Sequence, residues 1–272
     1  MRKQAEVVLS ASHVRKVYDD QVVLDDVSFE VRRGETVVIM GGSGCGKSTT
    51  LRMVTGLDKP DSGNIRVFGE EITTMNERNL DQIRKRFGIL FQSGALFNSM
   101  NLAENVALPI RQHSDLADPV IEIMVRVKLE MVGLSGFEHL MPAEISGGMK
   151  KRVALARAIA LDPELVFYDE PSAGLDPIRS AVIDELIIDL KSKMGMTSVA
   201  VTHHMDSAFK IADWMVMLHK GRIITQGTPQ DIRTNPDPLL QQFINGLPDG
   251  PIPMRTSKET YLVTLAGVIE NA

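Results

Sequence analysis

The sequence has little cysteine, no excess of positive charge and no long apolar run. Cys45 is its only cysteine, which excludes an intramolecular disulfide and a multi-cysteine zinc site and favours a reducing compartment. The formal net charge is -5, with Lys and Arg spread along the chain, so we expect no nucleic-acid partner. Even the apolar run 153–161 contains Arg157, whereas a membrane-spanning helix needs about 20 apolar residues. Residues 1–18 also lack the apolar stretch of a signal peptide.

The first third of the chain is patterned as β-structure. Residues 7–91 contain β-rich runs separated by turn residues, and the run 36–40 is apolar on both sides of its pleat. A glycine-rich turn and a helical pattern in residues 48–54 follow. We therefore expect a buried central strand that leads through a loop into a helix.

Helical and strand patterns alternate further along the chain. The β signal fades in residues 93–144, where 119–134 carry apolar residues at helical spacing. Strand-like runs return at 165–170 and 198–204, with a helical pattern between them. This alternation predicts a parallel α/β sheet that a mostly helical subdomain interrupts.

The last part combines a hairpin signal with residues that break regular structure. Residues 214–227 predict a hairpin that turns at Lys220-Gly221, and prolines and glycines recur from Asn235 onward. We expect three parts, with these boundaries: a sheet core of residues 1–92 and 146–228, a helical subdomain of residues 93–145, and a C-terminal extension of residues 229–272. The extension either docks on the neighbouring subunit or on a regulator, with Tyr261, Leu262, Val263 and Leu265 as anchors, or is a frayed tail.

A complete phosphate-loop pattern, G-x-x-x-x-G-K-[ST], lies between the predicted strand and helix. Its glycines allow backbone N–H groups to turn toward phosphate oxygens, and the helix N-terminus adds partial positive charge. Lys47 would reach the terminal phosphates and Ser48 would ligate Mg²⁺. The alternative for the whole motif is a glycine-rich turn with an unrelated lysine. For Cys45 we favour the role of a small side chain in the loop over that of a redox-sensitive thiol. The predicted ATP-binding residues here are Gly41, Gly42, Ser43, Gly44, Cys45, Gly46, Lys47, Ser48 and Thr49.

A second candidate site is the pair of acids that ends the run 165–170. Carboxylates at the carboxyl end of a strand lie in the ligand crevice of an open α/β sheet. We expect Asp169 to hold Mg²⁺ and Glu170 to polarise the water that attacks the γ-phosphate. A strand that simply ends in solvated acids is the alternative, which the phosphate loop disfavours.

A third feature, Ser146-Gly147-Gly148 followed by MKKRVALARAIALDPEL, resembles the signature motif of the ABC ATPase family. In that family, Ser and Gly groups at a helix start contact the γ-phosphate held by the opposite subunit. A Gly-Gly helix entry used only for packing is the alternative. The resemblance implies the fold of an α/β P-loop NTPase of the ABC type, with a mixed sheet core, an N-terminal antiparallel β part and a helical subdomain inserted before the signature motif.

The remaining elements of the family follow in order, and the resemblance covers residues 8–228. By this resemblance Tyr18 stacks on adenine and Gln92 touches Mg²⁺, where the alternatives are a core tyrosine and a solvated glutamine. Asp176 lies in a segment that communicates across the dimer, and His203 contacts the γ-phosphate. Metal binding by His203 and His204 is disfavoured because adjacent strand residues point to opposite faces.

The resemblance thus implies a complete set of functional residues. The catalytic residues are Glu170, His203 and Lys47. Beyond the phosphate loop, the ATP contacts are Tyr18, Gln92, Ser146, Gly147, Gly148 and Asp176. The Mg²⁺ ligands are Ser48, Gln92 and Asp169, and the cofactors are ATP and Mg²⁺.

Two departures from the usual signature narrow the resemblance further. Ile145 stands where leucine is usual, and Met149 replaces the usual glutamine. The SGGM run with its basic pair, together with residues 92–110 and 247–254, resembles the ATPases of MCE-type lipid transporters, the Mla phospholipid system in particular. This implies a homodimer at the cytoplasmic face of the inner membrane, bound to two permease subunits, an MCE substrate-binding protein and a small STAS-domain protein.

The expected mechanism is ATP-driven closure of the homodimer, with hydrolysis permitting reopening. The helical subdomain, hinged near Gln92, would transmit this motion to the permease through residues 97–105. An ABC ATPase for another solute is the first alternative. A soluble non-transport ABC ATPase is disfavoured because the chain has one cassette and no sustained heptads, and a non-catalytic nucleotide-binding module is disfavoured by the intact motif set.

Overall fold

The computed structural model describes residues 5–252, so the predicted anchors Tyr261, Leu262, Val263 and Leu265 lie outside the described residues. The chain divides into two compact units, the first ending at Pro229 and the second beginning at Gln230. The separation of a helical subdomain at residues 93–145 stays a prediction. Within the described range, no helix is both long and apolar enough to cross a membrane.

The described residues contain ten strands and nine α-helices. The strands are β1 (Val7–Tyr18), β2 (Gln21–Arg32), β3 (Thr36–Met40), β4 (Ser62–Val67), β5 (Glu70–Glu71), β6 (Phe87–Leu90), β7 (Leu165–Asp169), β8 (Thr197–Thr202), β9 (Trp214–His219) and β10 (Arg222–Gly227). The helices are α1 (Lys47–Val54), α2 (Glu77–Arg84), α3 (Leu102–His113), α4 (Asp118–Met131), α5 (Gly147–Ala158), α6 (Pro177–Met194), α7 (Met205–Ile211), α8 (Pro229–Thr234) and α9 (Pro238–Asn245). A short 3₁₀ helix covers Pro142–Glu144.

The smaller sheet has the strand order β2-β1-β4-β5, and all its pairings are antiparallel. Its strands alternate as expected for a sheet with one buried face: β2 buries Val27, Phe29 and Val31 while the residues between them are half-buried. This confirms the predicted N-terminal antiparallel β part.

The larger sheet has the strand order β10-β9-β3-β8-β7-β6, and its pairings are parallel except for β9 with β10. All five residues of β3 are buried, because the strand lies between two neighbours and is covered on both faces. The predicted hairpin is also confirmed: His219 pairs with Arg222, and the two turn residues Lys220 and Gly221 both have positive φ.

One hydrophobic core joins the two sheets. It includes Leu9 and Phe29 from the smaller sheet and Ile39 and Phe167 from the larger one. Phe87 packs edge-to-face against Phe167, with ring centroids 5.2 Å apart. Because the two sheets share this core, the ends of the larger sheet's strands are held in fixed positions.

The structure differs from the sequence expectations in two segments. Residues 7–91 were predicted as sheet, yet they contain helix α2, whose start is capped by the side chain of Asn76. In the C-terminal extension, Pro238 does not interrupt regular structure but opens α9, where a proline's missing N–H costs nothing and Asp237 caps the helix. The last described residue, Ile252, bonds through both its N–H and its C=O to the side-chain amide of Gln242 on α9.

Candidate functional site

The loop between β3 and α1 is shaped by two inward-packed glycines. A Cβ atom at Gly41 would lie 2.2 Å from the carbonyl oxygen of Leu218, and one at Gly46 would lie 2.6 Å from Cδ2 of Leu24. Gly46 also has φ of +106°, which L side chains rarely adopt. By contrast, a Cβ at Gly42 or Gly44 would meet nothing within 4 Å. The loop is therefore packed tightly on one side and open on the other.

The open side of this loop carries positive potential. Helix α1 begins after Gly46 with no side-chain cap and no acidic residue in its first turn, so its first N–H groups are available to an anion. Lys47 is buried, and its Nζ donates to the carbonyl oxygens of Gly41 and Gly42 at 2.9 and 3.0 Å. The lysine thus folds back onto its own loop, while Ser48 is exposed at the helix start.

Cys45 is packed within the loop. Its side chain is 5% exposed, and the Sγ atom lies 2.6 Å from the position that a Cβ on Gly41 would take. Its carbonyl oxygen accepts a hydrogen bond from the N–H of Gly221 at 3.1 Å. Burial raises the pKa of the Cys45 thiol, an environment that does not favour a reactive thiolate.

Asp169 ends β7, and its carboxylate is suited to a metal ion. Atom Oδ1 is buried and has no hydrogen-bond partner among the described residues, a state that a metal ion or its water would relieve. Burial and the neighbouring Glu170 carboxylate raise the pKa of Asp169, and Lys47 and Lys151 oppose that rise. A cavity of about 550 Å³ is lined by Asp169 and Gln92. Oxygen donors of this kind fit Mg²⁺.

Glu170 follows Asp169 and lies in an unusual backbone conformation. Its φ is +47°, and its side chain is buried between the ends of β7 and β8. Oε2 accepts from the Thr202 hydroxyl at 3.1 Å and from the His203 backbone N–H at 3.3 Å, while Oε1 lies 2.8 Å from Nδ1 of His203. A strained residue that the surrounding contacts hold in place is typical of a functional site.

The two histidines do not have the geometry that we expected. Strand β8 ends at Thr202, so His203 and His204 lie beyond it rather than on opposite faces of a strand. Their rings are 4.5 Å apart with 41° between the ring planes. The argument from strand alternation was therefore wrong. Of the two histidines, only His203 contacts Glu170.

The segment around Ser146 forms a second, separate surface. The Ser146 hydroxyl caps α5 by accepting from the N–H of Met149 at 3.3 Å, and a Cβ at Gly147 would meet nothing within 4 Å. Gly148 is buried beneath the side chain of Arg179. Among the described residues, no hydrogen bond joins this segment to the phosphate loop.

Two further predicted residues lie at the surface. The Tyr18 side chain is 38% exposed, which is not the environment of a core tyrosine, and its hydroxyl donates to the carboxylate of Asp58. Asp176 caps α6 by accepting from the N–H of Arg179 at 3.0 Å. Neither residue contacts the Asp169-Glu170 pair through a hydrogen bond in the described part of the chain.

The structure thus gathers most of the predicted site at one edge of the larger sheet. Strands β3, β6, β7 and β8 are parallel, so their carboxyl ends meet there and bring together the phosphate loop, Gln92, the acid pair and His203. Sequence reasoning missed Thr202 and Lys151, which also contact Glu170. Two features of the sequence could have indicated these contacts: a threonine that ends the strand, and the unusual basic pair Lys150-Lys151.

Comparison with known proteins defines the class. Residues 24–173 match the family described as "ABC transporter". The chain belongs to this family and is an ATP-hydrolysing cassette of the ABC type.

Within the family, the chain is similar to particular transport ATPases. It is 46% identical over 242 residues to the "Intermembrane phospholipid transport system ATP-binding protein MlaF" of Escherichia coli, covering 89% of this chain and 90% of that protein. The MlaF of Haemophilus influenzae is 42% identical over 246 residues, with 90% and 93% covered. A Mycobacterium tuberculosis protein named "Probable ribonucleotide transport ATP-binding protein mkl" is 40% identical over 253 residues, with 93% and 70% covered.

Solved structures give the same fold. A dimeric ATP-binding cassette in a post-hydrolysis state, bound to ADP and Pi, superimposes with a TM-score of 0.76 at 29% identity, covering 81% of this chain and 98% of that one. CbiO1 of Clostridium perfringens, described as part of an ABC transporter complex, has a TM-score of 0.79 at 26% identity, with 95% and 99% covered. The expected ABC ATPase fold is confirmed.

Proposed function

We propose that this chain is the ATP-hydrolysing subunit of a transporter that moves phospholipid between the membranes of a Gram-negative envelope. The observation that carries the proposal is the 46% identity to the E. coli MlaF over nearly the whole of both chains. The assembled edge of the larger sheet supports hydrolysis, because it combines a phosphate loop, two carboxylates and a histidine.

The residues at this edge, together with Tyr18, have proposed roles. Lys47 and the N–H groups at the start of α1 bind the phosphates, and Tyr18 stacks on the adenine. Glu170 polarises the attacking water, and His203 contacts the γ-phosphate. When bound, Mg²⁺ would neutralise charge that develops on the phosphates, and Ser48, Gln92 and Asp169 would hold it.

We propose that the active form is a symmetric homodimer. The surface of Ser146 and Gly147 is exposed and has no hydrogen bond to the chain's own phosphate loop, as expected of a half-site that serves a second copy. In a two-fold dimer, Ser146 to Gly148 of each chain and Asp176 would face the nucleotide held by the other. The solved cassette with a TM-score of 0.76 is itself dimeric, which supports this arrangement.

The proposed partners are two permease subunits, an MCE substrate-binding protein and a small STAS-domain protein, with this chain at the cytoplasmic face of the inner membrane. A cavity of about 400 Å³ supports a permease contact, because its lining includes the half-exposed ring of Phe97 beside Phe91, Leu108 and Pro109. Asn105 fixes the Phe97 backbone with two hydrogen bonds, at 2.8 and 3.1 Å. Phe97→Ala should therefore leave soluble ATP hydrolysis intact and reduce transport, and full transport would contradict the proposed contact.

Replacing Glu170 by Gln tests the proposed catalytic role. We expect Glu170→Gln to lower hydrolysis by about 10³-fold or more, and to accumulate ATP-bound dimers in size-exclusion chromatography. The matched control is Glu164→Gln, because Glu164 precedes the same strand but pairs with Arg33 and Arg86 outside the site. Undiminished hydrolysis, or monomers alone in the presence of ATP, would contradict the proposal.

A second cargo has its own support, since the mycobacterial relative is named for ribonucleotide transport. Purification of the tagged chain from membranes in mild detergent, followed by mass spectrometry of proteins and lipids, separates the two. A permease, an MCE protein and phospholipid should be recovered together. Recovery of a different permease without lipid would leave the ATPase assignment standing and would contradict the proposed lipid cargo.

A further inference from the structure

Lys151 is a buried cation in the first half of α5 for which the proposed mechanism has no use. It is 6% exposed, and a lysine is rarely buried to this extent unless its ammonium group is paired. The preceding residue, Lys150, is half-buried on the same helix, and its side chain takes part in no hydrogen bond or ion pair with other described residues. The two lysines therefore differ in environment although they are neighbours.

The ammonium group of Lys151 contacts the main chain of Glu170, the proposed base. Its Nζ donates to the backbone carbonyl oxygen of Glu170 at 3.1 Å, in a buried position. Burial lowers the pKa of Lys151, while the charges of Asp169 and Glu170 oppose this and favour the protonated form. The hydrogen bond thus joins α5 to the main chain at the point where β7 ends.

The acceptor belongs to a residue whose backbone is strained. Glu170 has φ of +47°, a conformation that is unfavourable for a residue with a side chain and persists only when its surroundings hold it. The carboxylate is held by Thr202 and His203. On the main-chain side, the carbonyl oxygen accepts from the backbone N–H of Ala173 and from Nζ of Lys151, both at 3.1 Å, and Lys151 is the donor that belongs to another element, α5.

We infer that Lys151 is a positioning residue, which holds the main chain of Glu170 so that its carboxylate is aimed at the attacking water. The inference rests on the proposed function, since it assigns Glu170 the role of base. It also gives α5 two tasks: Ser146 at its start faces the partner's nucleotide, and Lys151, five residues later and about 7.5 Å along the axis, holds the chain's own base.

The test compares three purified full-length variants. Lys151→Met keeps an unbranched side chain and removes the donor, Lys151→Gln keeps a donor and removes the charge, and Lys150→Met makes the same change at the neighbouring position. Hydrolysis is measured per nucleotide-binding site, with the sites counted by equilibrium binding of a fluorescent ATP analogue, so that loss of folded protein does not mimic loss of rate. Thermal unfolding is recorded for each variant.

We expect Lys151→Met to lower kcat about tenfold at unchanged KM for ATP, which is in the range expected when a catalytic group is misplaced. Lys151→Gln should recover at least half of the wild-type kcat, and Lys150→Met should behave as wild type. In the Glu170→Gln background, Lys151→Met should still form the ATP-dependent dimer, because the residues proposed to bind nucleotide are intact.

Each other outcome overturns the inference. Equal kcat for the two methionine variants would show that the contact does not position Glu170, and equal losses for Lys151→Met and Lys151→Gln would show that the hydrogen bond is not the cause. If Lys151→Met does not fold, Lys151→Ala is measured in its place. We expect Lys151→Ala to have the wild-type KM and a tenfold lower kcat, and a raised KM would overturn the inference. Failure of the proposed function can be distinguished from failure of this inference. It would appear as undiminished hydrolysis by the single variant Glu170→Gln.

Discussion

The phosphate loop and the signature segment differ in how far each is completed by its own chain. In the loop, Gly41 and Gly46 have no room for a side chain, and Lys47 bonds to two carbonyl groups of the same loop. In the signature segment, Gly147 faces open space, and among residues 5–252 Ser146 forms hydrogen bonds only within its own helix. One surface is therefore constrained by the packing of its own chain, whereas the other is open, as expected of the proposed half-site for a second copy.

The largest effect should come from the constrained surface. Gly46→Ala places a Cβ 2.6 Å from Leu24 at a φ of +106°, so we expect a loss of stability of about 2 to 4 kcal/mol and at least about 100-fold weaker ATP binding. Thermal unfolding measures the loss of stability, and equilibrium nucleotide binding measures the loss of ATP affinity. Wild-type stability for Gly46→Ala would show that the loop is not constrained by packing.

Gly147→Ala should separate function from stability at the open surface. A Cβ there meets nothing within 4 Å, and alanine is the better helix former, so the melting temperature should be no lower than that of the wild type. Hydrolysis should fall about 10- to 100-fold, because the partner's phosphates would approach this backbone closely. ATP binding to the monomer, measured in parallel, should not change; a matching fall in stability would instead indicate a packing role.

Tyr18 tests the proposed stacking contact with adenine. Tyr18→Ala should weaken ATP binding about fivefold, which corresponds to the loss of one aromatic stacking contact of about 1 kcal/mol. Tyr18→Phe removes the hydrogen bond to Asp58 and keeps the ring, so it should bind ATP within about twofold of wild type. Equal losses in the two variants would assign the effect to the hydrogen bond rather than to stacking.

Cys45 should give the smallest functional effect. Cys45→Ala removes one buried sulfur and should cost about 1 kcal/mol of stability, with KM for ATP unchanged within about twofold. Because burial raises the pKa of this thiol, its reaction with a disulfide reagent should be slow in the folded protein and should reach the rate of a free thiol only after unfolding. Rapid modification of the native protein at neutral pH would contradict the packed environment.

The sequence predicted the parts of the site that depend on local order along the chain. The phosphate loop, the acids at the end of β7 and the hairpin at Lys220-Gly221 are each specified by a short run of residues, since strand periodicity and turn chemistry are local. The sequence also predicted that the two acids lie in the ligand crevice of the sheet, because they end a strand.

The contacts that the sequence did not predict join residues that are distant along the chain. Glu170 contacts His203, which is 33 residues away in the sequence, and Lys151, which is 19 residues away. No periodic pattern in the sequence indicates either contact. The positive φ of Glu170 was equally hidden, because glutamate does not favour that conformation and only its surroundings impose it. Helix α2 was missed since it is short and lies between β-patterned segments.

The hydroxyl group of Ser146 can donate a hydrogen bond while it caps the helix, which an aspartate cap cannot do. Its oxygen accepts the hydrogen bond from Met149 N–H with a lone pair, which leaves the hydroxyl proton free to be donated elsewhere. Aspartate would cap the helix equally well, yet its carboxylate has no proton to donate at neutral pH and would repel a phosphate. Threonine and asparagine also combine an acceptor with a donor, so aspartate is disfavoured at position 146 by the negative charge of the proposed ligand rather than by the helix.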